Sequence, residues 1–510
     1  MAYTTTKVTR PQADESQDAA SNSAGQSQTG QQSGVRTIPI PFAGLPTQRG
    51  VGTGDQRYVN IIFEKEENPL SGGTLITCRK RPGVSSVNQP PAGAATGRGL
   101  FAWQATGAIY SVFDDKLYKG TTDMGVTLAG TTGKVWWAHS PATSTTQYLF
   151  MSDGADLYLI ETDDTVTQID ENDDAEWPTS NLGPVCFFDD YIFLAQSDGE
   201  IWNSDVDAPT AWTSTGVISA SGYGDDLEAI VRMKEQIVAL GKSSIQMFYD
   251  NATTGSPLAR VEQNAFQVGC VSKNTVALSG ETLVWVGSSE EGGDMNRQVW
   301  LMEGLTKFKS VSTKVIERFL AEEGTNISNA SCWMERVDGH LLYVLNLITT
   351  ASRTFVYDVD MDMWSEWQVA GASTEITWNA ATSLNGETYV QDVASGRILK
   401  FADTVYQDNG TNFTVTIQTD RFNFGTPMCK FQNRLWIEGD TTSSSSNLAV
   451  SVTDDDYASF NTARNIDMSL IRKFLPQWGR FYERAYKFTY TDNYPLRLRQ
   501  FWVDLEEGTM

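Results

Sequence analysis

The chain has 510 residues, 40% of them hydrophobic and 11% aromatic, with 15 tryptophans. That is ordered material in quantity, too much for one compact core. A formal charge of −25 argues against a sequence-wide affinity for nucleic acid, because phosphate contacts need clustered lysine and arginine. The five cysteines, Cys78, Cys186, Cys270, Cys332 and Cys429, are odd in number, far apart and without a Cys-x-x-Cys pair. They read as reduced thiols packed as small hydrophobes, not as a disulfide framework or a zinc site.

Residues 1–36 are rich in Gln, Ser, Gly, Ala and Thr and have no hydrophobic period. Alone they form a disordered arm, which a partner would have to order. The opening Met-Ala-Tyr-Thr-Thr-Thr-Lys lacks the apolar core of a signal peptide, and no later run reaches 18 apolar residues. Assembly in a cytoplasm is the expectation. Residues 37–98 read as entry strands and a linker. Ile38-Pro-Ile-Pro-Phe42 is extended and pinned by proline. A strand over Tyr58, Val59, Ile61 and Phe63 is the candidate clasp that closes a ring of blades. Arg79-Lys-Arg-Pro-Gly83 offers three charges before a turn, which read as a solvated strand end or, alternatively, a phosphate contact.

From residue 99 to 410 one strand–turn–strand segment recurs. It appears as Tyr110-Ser-Val-Phe-Asp-Asp-Lys-Leu-Tyr118, then as Tyr148 to Tyr158, Tyr191 to Trp202 and Ile237 to Phe248. Looser copies run from Leu283 to Trp300, Leu341 to Tyr357 and Thr388 to Phe401. Taking Leu117, Leu157, Ile201, Ile245, Val299, Phe355 and Ile398 as markers, the spacings are 40, 44, 44, 54, 56 and 43. Aspartate, glycine and serine supply the turns, and alternating aromatic and branched residues give each strand a buried face. No hairpin buries that face alone, so the copies must stack as propeller blades. Seven blades are expected, with six the alternative. From Val135 to Val231 there is no lysine or arginine, and acids recur throughout. Asp173, Asp174, Asp205, Asp207, Asp225 and Asp226 are candidates for an acidic surface, either solubilising loops or a wall that repels DNA.

Residues 411–510 read as an antiparallel β-sandwich, with strands at Phe413 to Thr419, Arg434 to Glu438, Leu448 to Val452, Ala485 to Tyr490 and Leu496 to Val503. Arg472, Lys473, Arg480, Arg484, Arg497 and Arg499 form a candidate inter-subunit basic patch. Helix is scarce, Glu317 to Glu323 being one short candidate. The fold class is thus all-β: a propeller, with an N-terminal extended arm and a C-terminal antiparallel sandwich.

No catalytic constellation survives inspection. There are two histidines, His139 and His340, and no Gly-x-Ser-x-Gly elbow. Ser197-Asp-Gly-Glu-Ile-Trp202 resembles the aspartate box of sialidases without its spacing, and nearly a hundred residues around it lack the arginines such enzymes need. Asp358-Val-Asp-Met-Asp362 fails as a calcium loop because Met363 stands where glycine is required and Val369 where glutamate is. Gly52-Thr-Gly54 lacks the rest of a dinucleotide fingerprint. No catalytic, cofactor or metal site is expected. Carboxylate pairs for glycan hydrolysis stay open, since their separation is invisible in sequence.

Several stretches resemble the packaged-DNA stabilisation proteins of short-tailed bacteriophages, the tail hub or nozzle. They are Tyr58-Val-Asn60 with Arg81-Pro-Gly83, Lys116-Leu-Tyr-Lys-Gly120, Ala138-His139, Ser244 to Tyr249, Thr253 to Ala259 and Val268-Gly-Cys270. Ile316-Glu317, Phe355-Val-Tyr-Asp358 with Trp364 and Trp367, and Gly396 to Phe401 complete the co-linear set over roughly residues 40 to 410. The resemblance implies a structural virion component in the tail, with no reaction. It implies a homohexameric ring below the portal-adaptor protein that continues the channel for double-stranded DNA. That ring retains the genome and carries a needle or tip, with fibres or spikes alongside. A propeller glycan hydrolase or receptor-binding tail protein is the alternative.

Overall fold

The computed structural model describes residues 35–43, 56–67, 74–87 and 95–508, save 143, 145, 180, 221–224, 262–265, 289–295, 372–373 and 394. Of the expected N-terminal arm, residues 1–36, all but Val35 and Arg36 lie outside the described residues, and Arg36 opens the strand Arg36–Pro41. Seven antiparallel blades follow one another in chain order, spanning residues 97–127, 136–169, 181–219, 227–260, 277–310, 331–367 and 378–402. The first five are separate four-stranded sheets, the sixth continues into a larger sheet, and 378–402 supplies three strands of the seventh. The first strands adjoin in turn from the fifth blade through the seventh and the first to the fourth, so the seventh blade meets the first, and the fourth and fifth blades share one core cluster. The protein is a seven-bladed propeller.

All seven marker residues lie on the third strand of their blade, from Leu117 on Lys116–Lys119 to Ile398 on Arg397–Ala402, and all are buried. The recurring segment is therefore the middle pair of strands, covered on both faces by neighbouring blades. Its turns need left-handed backbone: Asp114 between Ala108–Phe113 and Lys116–Lys119 sits at φ 50°, a conformation that aspartate tolerates better than most residues. The long interval before Phe355 has a structural cause. A helix, Lys314–Glu323, and a 3-10 turn, Gly324–Asn329, are inserted between the fifth and sixth blades. Thr313 caps the helix, its hydroxyl accepting from the Ile316 N–H, and Ile316, Phe319 and Leu320 are buried against the fifth and sixth blades. The sequence candidate found only the last two turns of this helix.

The seventh blade is completed by Gly83–Ser86, paired antiparallel with Arg397–Ala402. This corrects the clasp expected at Tyr58 to Phe63. Tyr58 and Val59, on Arg57–Val59, instead bridge the sixth blade to the sandwich: Val59 pairs in parallel with Glu366, and Tyr58 antiparallel with Ile417. Ile61 and Phe63, on Ile61–Glu67, enter the sandwich core. A Cβ at Gly83 would run into the Gln407 backbone, so only glycine allows the clasp to lie this close.

The sandwich takes strands from both ends of the chain. One sheet runs Ile61–Glu67, Thr74–Lys80, Arg497–Glu507, Lys430–Gly439 and Phe474–Phe481, with Arg36–Pro41 also on Arg497–Glu507. The other runs Arg57–Val59, Val415–Gln418, Ala485–Tyr490, Asn447–Thr453 and Arg464–Asp467. Phe42, Phe63, Tyr486, Phe488 and Phe501 meet between them, Phe42 and Phe488 edge to face at 4.9 Å. The described residues between 37 and 87 thus belong to the sandwich, its junction with the sixth blade, and the seventh blade.

Candidate functional site

Two of the basic triplet, Lys80 and Arg81, are buried, and Arg79 is half-buried and held in ion pairs. Arg81 is fully buried and bidentate to Asp408, with bonds of 2.9 and 2.6 Å. Its Nε donates to Asn60 Oδ1 at 3.0 Å, and its guanidinium lies 3.8 Å from the Phe413 ring centre and 5.3 Å from that of Trp367. Asn60 Oδ1 also accepts from the Gln368 N–H, and Asn60 donates to the Thr414 carbonyl. Lys80 is buried beside it, 4.4 Å from the Phe413 ring, donating to the Asp492 carbonyl at 2.8 Å; burial and the Arg81 charge lower its pKa to about 7. Arg79 reaches Glu64 and, on the sixth blade, Asp338. Residues 60, 81, 367, 408 and 413 are far apart in sequence, yet they form one clamp between propeller and sandwich.

The candidate basic patch divides. Arg484 is buried and bidentate to Asp454 at 2.7 Å, and Lys473 is buried on the Gly439 carbonyl and Thr441 hydroxyl. Arg497 is held by Glu64 and Glu66, and Arg499 by Glu66 and Asp440. Only Arg472 and Arg480 are exposed. Composition read all six as one surface because strand alternation there is broken by Pro476 and by left-handed Gln477 and Gly479.

The acidic candidates divide too. Asp225 accepts from the N–H and hydroxyl groups of Ser243 and Ser244, and Asp174 from the Trp212 N–H, so both fasten loops. Asp226 pairs with Lys242 at 2.7 Å. Asp205 is half-buried and Asp173 exposed. Asp207 opens onto a cleft of about 1180 Å³ between the second, third and fourth blades, lined also by Asp189, Asp190, Glu235 and Asp250. Tyr148, Phe150 and Tyr249 supply aromatic walls. A hydrogen bond with Asp250, then burial, raises the Asp189 carboxyl above its ordinary value. Sequence reading named only Asp207 of this set; the others sit at hairpin turns that read as ordinary turn chemistry.

The propeller axis holds cavities of about 770 and 510 Å³, the first lined by Arg98, Lys134 and Glu375, the second by Phe101, Trp136 and Trp137. Each is of small-molecule size. His139 is exposed on the Ser140 carbonyl, and His340 lies 2.8 Å from Asp358. Among the described residues, no group of three or more His, Cys, Asp or Glu is placed to hold a metal ion. All five cysteines are unpaired, four of them buried, and burial pushes the Cys186 thiol up to about 12.

A family model described as bacteriophage P22 Gp10, β-propeller, matches residues 36–406. The chain belongs to this family. That span takes in the clamp arginine, the Gly83–Ser86 clasp and every blade, and identifies a phage DNA-stabilisation protein. No curated protein sequence matches the chain. Among solved structures, a streptogramin B lyase is similar over 62% of this chain and 96% of its own, with 11% identity and a TM-score of 0.38. A virginiamycin B lyase from Staphylococcus aureus matches over 62% and 98%, at 8% identity and a TM-score of 0.40. The extracellular domain of a putative one-component system from B. thetaiotaomicron matches over 66% and 46%, at 11% and 0.41.

Proposed function

We propose that this member of the stabilisation family is the nozzle of a short phage tail. Copies of the chain form a ring below the portal-adaptor, continue the DNA channel, retain the packaged genome and carry the needle or tip. The chain is a structural part of the virion, not an enzyme, and the ring is a homohexamer. One observation supports this beyond family membership: residues 135–231 carry nineteen Asp and Glu and no Lys or Arg. In this reading the DNA runs along an axis shared by several copies, and not through a single propeller. A wall of fixed negative charge lets DNA slide, whereas lysines would gain counterion-release affinity at every phosphate.

A glycan hydrolase is the rival reading. Its carboxyl pair needs about 5 Å or more between the groups to admit a sugar. Asp189 and Asp250, in hydrogen-bond contact, stand closer than that gap. Mass measurement of isolated tails carrying a label on this chain tests the ring: six copies on the tail axis are expected, and a peripheral or single copy would sink it. Filter binding at physiological salt should find weak DNA affinity. Tight binding that falls steeply with salt would overturn the sliding wall.

A further inference from the structure

The most exposed large hydrophobic among the described residues is Ile471, 92% exposed, on the turn between Arg464–Asp467 and Phe474–Phe481. Leu470 and Phe474 beside it are exposed as well, and Arg472 stands between them. Arg472 and Arg480 make no ion pair with any described residue, although nearly every other cation discussed in this domain has one or a carbonyl partner. Three exposed apolar side chains clustered around a solvated cation, on a chain of charge −25, make a surface of the kind that a partner covers.

The clamp joins this sandwich to the sixth and seventh blades, through Glu366, Asp338 and Asp408. The aromatic-walled cleft centres on the third blade, three blades away in either direction around the ring. The sandwich that carries the tip is therefore attached on the side of the propeller ring opposite the cleft. They are complementary in charge and both carry apolar surface: exposed Val206 adjoins Asp207 at the cleft, as Ile471 adjoins Arg472 at the tip. Complementary patches on opposite sides make a head-to-tail contact, which repeats into a ring or a filament.

We propose that the tip Leu470–Phe474 of one copy docks in the cleft between the second and fourth blades of the next copy. Ile471 and Leu470 meet Tyr148 and Tyr249, and Arg472 meets Asp190 and Asp207. The proposal rests on the ring reading above and assigns its contact to named surfaces. It also gives the carboxylates of the cleft a second cation beside the chain's own Arg232.

The test places Val206→Cys and Ile471→Cys together in the full chain, on a Cys429→Ser background. Mild oxidation of assembled particles, and of the concentrated purified chain, should give a ladder of covalent multimers that neither single cysteine gives. Arg472→Glu should lower the cross-link yield about tenfold or more, because like charges then face each other. Adding Asp207→Lys should restore it. Particles that contain several copies of the chain yet give no ladder would overturn the contact and leave the ring standing. Normal incorporation of an Ile471→Asp chain would overturn it too. A ladder from the purified chain, with the chain absent from tails, would keep the contact and overturn the nozzle reading instead.

Discussion

At the junction of propeller and sandwich, Arg81 is bidentate to Asp408, and Arg79 holds Glu64 and Asp338. Across the ring, Asp189, Asp190, Asp207, Glu235 and Asp250 share one cleft with a single arginine, Arg232, which donates to the Phe187 carbonyl and lies over the Phe188 ring. The first region uses charge to lock two domains in a dry, aromatic setting, where losing one partner strands the other. The second leaves like charges facing water, where each is individually cheap and together they set a field. Charged residues of the same types therefore carry stability in one place and surface character in the other, and burial decides which.

The largest effect should come from opening the clamp. Arg81→Ala strands Asp408 beside Phe413, and denaturant unfolding should find the protein about 3–5 kcal/mol less stable. The paired change Arg81→Met with Asp408→Leu should recover much of that loss. If the single change costs under 1 kcal/mol, the junction is no better than a surface pair. Next comes the clasp: Gly83→Ala forces a methyl against the Gln407 backbone and should cost roughly 1–3 kcal/mol, with the seventh blade becoming the first site of proteolysis.

A subtler test uses pH. The pKa of Lys80 is lowered in the fold to about 7, so between there and the usual lysine range the unfolded chain binds a proton that the folded chain does not. Stability should therefore rise with pH across that window, by at most about 1.4 kcal/mol per unit from this group. Lys80→Met should flatten that rise relative to the parent. An unchanged slope would mean that Lys80 stays charged in its aromatic setting. The smallest effect belongs to the rim. Asp207→Asn should shift stability by less than about 0.5 kcal/mol, and a larger loss would mean that the cleft carboxylates are structural after all.

How much was legible follows from which interactions are local. The second and third strands of each blade are covered on both faces and joined by tight turns, so Leu117, Leu157 and Ile201 announce themselves by type and spacing. Ala485–Tyr490 was readable end to end because it alternates cleanly inside the sandwich. Phe474–Phe481 was missed: it is an edge strand with one side unpaired, interrupted by Pro476 and left-handed Gly479, so no alternation marks it.

By itself the sequence determined the all-β class, the repeat, the sandwich and the cation-free stretch, because periodicity and composition are properties of neighbours along the chain. Only the tertiary structure decided that Gly83–Ser86 closes the ring, that both chain ends build one sandwich, and that four of six basic residues are spent internally. It alone gathered Asp189, Asp190, Asp207 and Asp250 around one cleft. Strand pairing and ion pairing between residues hundreds of positions apart leave no local signal. Arg81 looked like a solvated turn charge until Asp408, Trp367 and Phe413 closed around it.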